Sequence, residues 1–145
     1  MHYGISVTNA SKPIVPLPAP RLKDIPAWAT NVAYAIGNYV TSKGRGYMAV
    51  TAGNSGATAP EGVGSVSDGT VTWISCNQHP RKGLTITNEG GIALSISLSG
   101  PAVAGSGTVI SAGATMAFLP EQITQDGVFA IRAAATAGNV SILEW

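Results

Sequence analysis

Hydrophobic and polar positions in this chain alternate with a period of two. Over residues 92–99 every even-numbered residue is a large aliphatic and every odd one is Ala or Ser. That alternation marks a strand with one face in a core. Apolar positions at Leu84 and Ile86, and over 109–110, 116–119, 128–131 and 140–145, continue the signal. Turn residues separate these runs at Asn88-Glu89-Gly90-Gly91, Ala112-Gly113, Asp126-Gly127 and Gly138-Asn139. Strands at this spacing predict a β-sandwich or barrel over 84–145. Residues 131–137 are Ala-rich but carry no apolar stripe of helical period.

Upstream, the pattern changes to aromatics among turns. Gly37-Asn38, Lys43-Gly44, Gly53-Asn54 and Asp68-Gly69 punctuate runs at 39–41, 46–51 and 70–74, which read as short antiparallel strands. Val71 and Trp73 share one face. A module of this size, 28–77, has little core of its own, so Trp28, Tyr34, Tyr47 and Trp73 are expected to supply most of its buried area. The same four rings are also the candidate platform for stacking a glycan. Residues 78–83, His-Pro-Arg-Lys-Gly with Gln78 before them, read as a linker.

Residues 1–27 show no period. Prolines at 13, 16, 18, 20 and 26 favour polyproline II over helix or ladder. The expectation is an extended arm whose Ile14, Val15, Leu17 and Leu22 need another surface to lie on, either a neighbouring subunit or the chain's own domain. The whole chain therefore reads as all-β: a Pro-rich N-terminal arm, a small aromatic-rich module, and a sandwich or barrel.

Charge sharpens this picture. Only 10% of residues are charged and the net charge is +1, against about 25% charged residues in an average soluble domain. A surface so poor in Lys and Glu resists association weakly and suits a protein covered by neighbours in an assembly. The eight basic residues are scattered, so nucleic acid is not an expected partner. No apolar run approaches the ~18 residues of a membrane span, and MHYGISVTNASK does not read as a secretory signal. With Cys76 alone there is no internal disulfide, which points to assembly in a cytoplasm.

Candidate chemistry is sparse. His2 and His79 are the only histidines, and Cys76 with His79 falls short of the four ligands of a zinc site. Asp68 and Asp126 each precede Gly and read as turn formers, with Glu61 and Glu89 in loop-like stretches. Residues 100–107 are Gly-rich but lack the Lys and helix of a phosphate cradle. The expectation is a non-enzyme without cofactor or metal.

Two resemblances add to this reading. Ala27-Trp28, Tyr34-x-x-Gly37-x-x-Val40, Gly44-x-x-Tyr47-x-Ala49 and Trp73 resemble the chitin-binding-type β modules of carbohydrate-binding families 5 and 12. Where those carry exposed aromatics after the Tyr-x-Ala strand, this chain has Gly53-Asn54-Ser55-Gly56. The fuller pattern, with Pro60 and residues 68–73, is similar to a module of tailed-bacteriophage virion proteins. Thr87-Asn88, the Gly-rich loop 100–107, Ala112-Gly113-Ala114-Thr115 and 127–131 resemble small phage head-surface proteins. The resemblance implies a capsid decoration or cement protein on the outer surface of the head. Its partners would be the major capsid protein and copies of itself, in a homo-oligomer such as a trimer. The alternative it implies is a tail or neck fibre component that grips a host glycan.

Overall fold

The structure, a computed structural model, describes residues 1–98, 100–118 and 125–145. Its strands in chain order are β1 (His2–Val7), β2 (Lys12–Val15), β3 (Ala33–Tyr34), β4 (Tyr39–Ser42), β5 (Arg45–Thr51), β6 (Gly53–Asn54) and β7 (Ser65–Asp68). They continue with β8 (Val71–Ser75), β9 (Leu84–Asn88), β10 (Leu94–Ser97), β11 (Thr108–Ile110), β12 (Thr115–Phe118), β13 (Val128–Arg132) and β14 (Gly138–Glu144). One 3-10 turn, Ala19–Arg21, is the helical element among the described residues. The fold is all-β, with antiparallel sheets, and the chain divides into two compact units.

The first unit comprises Met1–Val15 with Arg81–Trp145. One sheet runs β1-β14-β9-β12 and the other β11-β10-β13-β2. Alternation builds both. Tyr3, Ile5 and Val7 of β1, Val140 and Ile142 of β14, and Leu84 and Ile86 of β9 are buried, while the residues between them face outward. Leu94 and Ile96 of β10 and Val128 and Ala130 of β13 are buried in the second sheet, where Ser95 is buried as well, its hydroxyl accepting from Gly105 N–H at 2.8 Å. The Tyr3 hydroxyl donates to the Ile14 carbonyl at 3.2 Å, tying β1 to β2.

The expected arm over 1–27 is thereby corrected. Residues 2–7 pair in full register with 138–143, and β2 pairs with β13 across a bulge at Val128/Phe129. Pro13 misleads because β2 is an edge strand, where a proline is tolerated. The period-two run Tyr3, Ile5, Val7 finds its partner 130-odd positions away, which local spacing does not reveal. The expected strand over 92–99 is shorter at both ends, Leu94–Ser97. Ser99 and Leu119, expected to end strands, lie outside the described residues.

The second unit is Pro16–Pro80. Its main sheet is β4-β5-β8-β7, beside the two-stranded pair β3-β6. The three strands expected here are present, and Ser65–Asp68 adds a fourth that the sequence reading passed over. Val40, Tyr47, Ala49, Val71 and Trp73 form the core, with Trp28, Tyr34 and Val66 packed on it. Gly69 is required at its turn: its φ is 61°, and a Cβ there would lie 2.4 Å from the Asn54 carbonyl. The Pro-rich residues after Val15 lie along this unit. The Ala19 amide donates to Asn77 O at 2.6 Å, Thr41 N–H to Pro26 O, and Trp28 N–H to Thr41 O, both at 2.9 Å.

The boundary at 80/81 also corrects the linker reading. Arg81, expected as a solvated linker charge, is buried in the first unit against Glu144.

Candidate functional site

Two of the four candidate platform rings, Trp28 and Trp73, meet at one carboxylate. Trp73 and Tyr47 are fully buried; Tyr34 meets Trp73 edge-on, with centroids 5.0 Å apart and planes at 70°. Asp68 Oδ2 accepts from the indole N–H of Trp28 at 2.7 Å and of Trp73 at 3.2 Å, and Oδ1 accepts from Gly56 N–H at 2.7 Å. Three donors thus hold a 5% exposed carboxylate that the sequence reading treated as a turn former. The Tyr47 hydroxyl donates to Gly62 O, and burial raises its pKa. Two of the four rings are core, so no continuous aromatic row faces outward.

Of the four expected arm contacts, Ile14 and Val15 are wholly buried in the first unit, on β2. Leu17 and Leu22 are half-buried in the second. They line a groove of about 680 Å³ with Ile25 and Pro26. Tyr34 and Tyr39 stand on its wall, and each hydroxyl is fixed by a main-chain donor: Ala29 N–H at 3.1 Å and Leu17 N–H at 3.0 Å. Arg21, Lys23, Asp24 and Asn38 complete the lining. The structure therefore brings Leu17, Leu22 and Tyr34 to one groove and sends Ile14, Val15, Tyr47 and Trp73 to two cores.

The first unit buries its polar groups differently. Arg132 of β13 is 1% exposed. Its guanidinium donates to Asn88 Oδ1 (2.8 Å) and to the carbonyls of Ile92 (2.5 Å), Val7 (3.2 Å) and Asn139 (3.2 Å). Gly138 and Gly90 make room for it, since a Cβ at either would come within 2.7 Å of the guanidinium. The Asn88 amide nitrogen in turn donates to Ile92, Ile110 and Ser111 carbonyls. Arg81 Nε sits 3.0 Å from Glu144 Oε2 with both side chains wholly buried. Glu144 Oε1 has no hydrogen-bond partner among the described residues. Burial raises the Glu144 pKa, with Arg81 acting in the opposite direction.

The outward face of the β1-β14-β9-β12 sheet is the most distinctive surface. Register places His2, Leu143, Thr85 and Ala117 in one row, and Gly4, Ser141, Thr87 and Thr115 in the next, followed by Ser6 and Asn139. None of these ten is Asp, Glu, Lys or Arg. His2 Nε2 and Ser141 Oγ are 2.6 Å apart, and the Thr87 and Thr115 hydroxyls 2.9 Å, so the polar groups bond among themselves. Leu143 and Trp145 are 42% and 54% exposed.

No group of His, Cys, Asp or Glu suited to a metal occurs among the described residues, and Cys76 is buried and in no disulfide. No helix among them is long and apolar enough to cross a membrane. Compared with known proteins, the chain matches no family model, no curated protein and no solved structure.

Proposed function

We propose that this chain is a structural protein of a tailed-phage virion, a decoration protein on the outer surface of the head that cements the capsid lattice. The observation that carries this reading is the sheet face of His2, Thr85, Thr87, Thr115, Ser141 and Leu143, which bears no ionised side chain. An exposed sheet is ordinarily dressed in Lys and Glu, which keep it from associating. A face without them is built to be covered. Its partners are the major capsid protein and further copies of this chain, joined through contacts that exist only in the assembled shell. Binding the assembled lattice and not free subunits stabilises that lattice by mass action.

Charge placed on this face tests the reading without touching the core. The pair Thr87→Lys and Thr115→Lys should keep the thermal midpoint within a few degrees while particle occupancy falls below a tenth of native. Full occupancy of the charged variant on heads contradicts the proposal.

A second reading, a tail or neck fibre component that grips a host-surface glycan, draws support from the tyrosine-walled groove of the second unit.

A further inference from the structure

We infer that a cavity beside the buried guanidinium of Arg132 binds a small monovalent anion, a halide such as chloride. This site is independent of both the virion and the glycan readings. The cavity, about 120 Å³, lies within the first unit. Gly91 and Ile92 line it from the turn after β9, Thr136, Ala137 and Gly138 from the chain entering β14, and Arg132 from β13.

Arg132 needs a counter-charge that the described residues do not supply. It is 1% exposed, and its acceptors, Asn88 Oδ1 and the carbonyls of Val7, Ile92 and Asn139, are all neutral. Glu89, on the adjoining turn, is exposed and forms no ion pair among the described residues. Burial lowers the Arg132 pKa, with no neighbouring charge acting against it. A cation taken out of water is costly unless an anion accompanies it. Arg81 of the same unit has Glu144 for this purpose; Arg132 has a cavity.

Donors and room select the kind of anion. A guanidinium carries five N–H donors. Nε spends one on Val7, Nη1 one on Ile92 and Nη2 two on Asn88 and Asn139, which leaves one Nη1–H. The Thr136 hydroxyl, also in the lining, has no partner among the described residues. One N–H and one hydroxyl suit a spherical acceptor, whereas a carboxylate is held best by two parallel N–H groups. The volume exceeds the ~10–15 Å³ that one water needs and falls short of the ~300 Å³ at which sites for larger ligands begin. Gly90 and Gly138 close on the guanidinium, but a Cβ at Gly91 would meet nothing within 4 Å, so the open side lies there. A single cation in a lining otherwise of Gly, Ala, Ile and Thr does not repay the dehydration of a dianion such as sulfate.

The test is titration of the full ¹⁵N-labelled chain with sodium chloride, bromide, formate and sulfate, at ionic strength held constant with sodium gluconate. Chloride and bromide should give saturable shifts at the amides of Gly91, Ile92, Thr136 and Ala137, with midpoints at or below about 0.1 M. Formate and sulfate should bind those amides at least about tenfold more weakly. Gly91→Asp and Thr136→Asp each bring a fixed negative charge to the cavity from an exposed position, and each should weaken chloride about tenfold or more. Their spectra in gluconate should match the native one away from these two turns, which shows that the fold survives. Silence with both halides would leave water as the occupant and overturn the inference. Shifts confined to other residues, formate binding as tightly as chloride, or native chloride affinity in either variant overturns it equally.

Discussion

The two units bury a carboxylate in opposite ways. In the second, Asp68 has no cation beside it among the described residues but receives three N–H donors, the indoles of the core residue Trp73 and of Trp28 packed against that core, and the Gly56 amide. In the first, Glu144 has a cation, Arg81 at 3.0 Å, yet one of its oxygens has no partner among the described residues. A buried polar network gives rigidity when every member is satisfied and little when it is not. The contrast assigns Asp68 to holding the small aromatic core together. Arg81 and Glu144 instead pin the chain where it enters the first unit to the strand that closes it.

The largest effect expected from this contrast is at Trp73. Trp73→Ala removes the centre of the second core together with one donor to Asp68, and should cost about 3–5 kcal/mol in urea unfolding. A loss below about 1 kcal/mol would mean that the ring is not the centre of that core. Next comes Asp68→Asn, which keeps the shape but turns one acceptor into a donor facing an indole N–H. It should cost about 1.5–3 kcal/mol, the range of a hydrogen bond to a charged group. An effect near zero would erase the difference between the two carboxylates.

The smallest effect is expected where the pair is half satisfied. Replacing Arg81 by Met together with Glu144 by Leu should leave stability within about 1 kcal/mol of native or raise it, because buried ion pairs are often outdone by packed apolar groups. The pH profile sharpens this outcome. The folded Glu144 carboxyl has a pKa above its ordinary 4.5, so the native state binds that proton more tightly than the unfolded chain. Its contribution to stability is complete below about 4.5 and is lost as pH rises through the folded value. The native urea midpoint should therefore fall across that window more steeply than the midpoint of the double variant. Parallel profiles would show that Glu144 does not titrate as a buried acid.

How much of this was legible depends on where each residue's partner lies. The second unit pairs neighbours in sequence, so its turns and aromatics announced three of its strands and the core rings Tyr47 and Trp73, while Val40 and Ala49 of that core went unmarked. The first unit closes on β1, whose partner β14 is at the other end of the chain, and five prolines drew the eye away from Tyr3, Ile5 and Val7. Arg132 and Glu144 fall in phase with Val128 and Ala130, and with Val140 and Ile142, so the same period of two that found those strands also pointed these charges inward. Asp68 carried no such signal, since an Asp-Gly turn looks alike whether its carboxylate faces water or two indoles. The groove was invisible for a similar reason: Leu17, Leu22 and Tyr39 become neighbours only when the Pro-rich stretch lies back on its own unit.

The central claim is that the uncharged face of β1, β14, β9 and β12 is covered by neighbours in a virion, and a density map of purified particles that locates this chain tests it most directly. The account predicts Thr87, Thr115, Ser141 and Leu143 in contact with an adjoining subunit on the head. That face turned to solvent, or the chain missing from particles altogether, would contradict it.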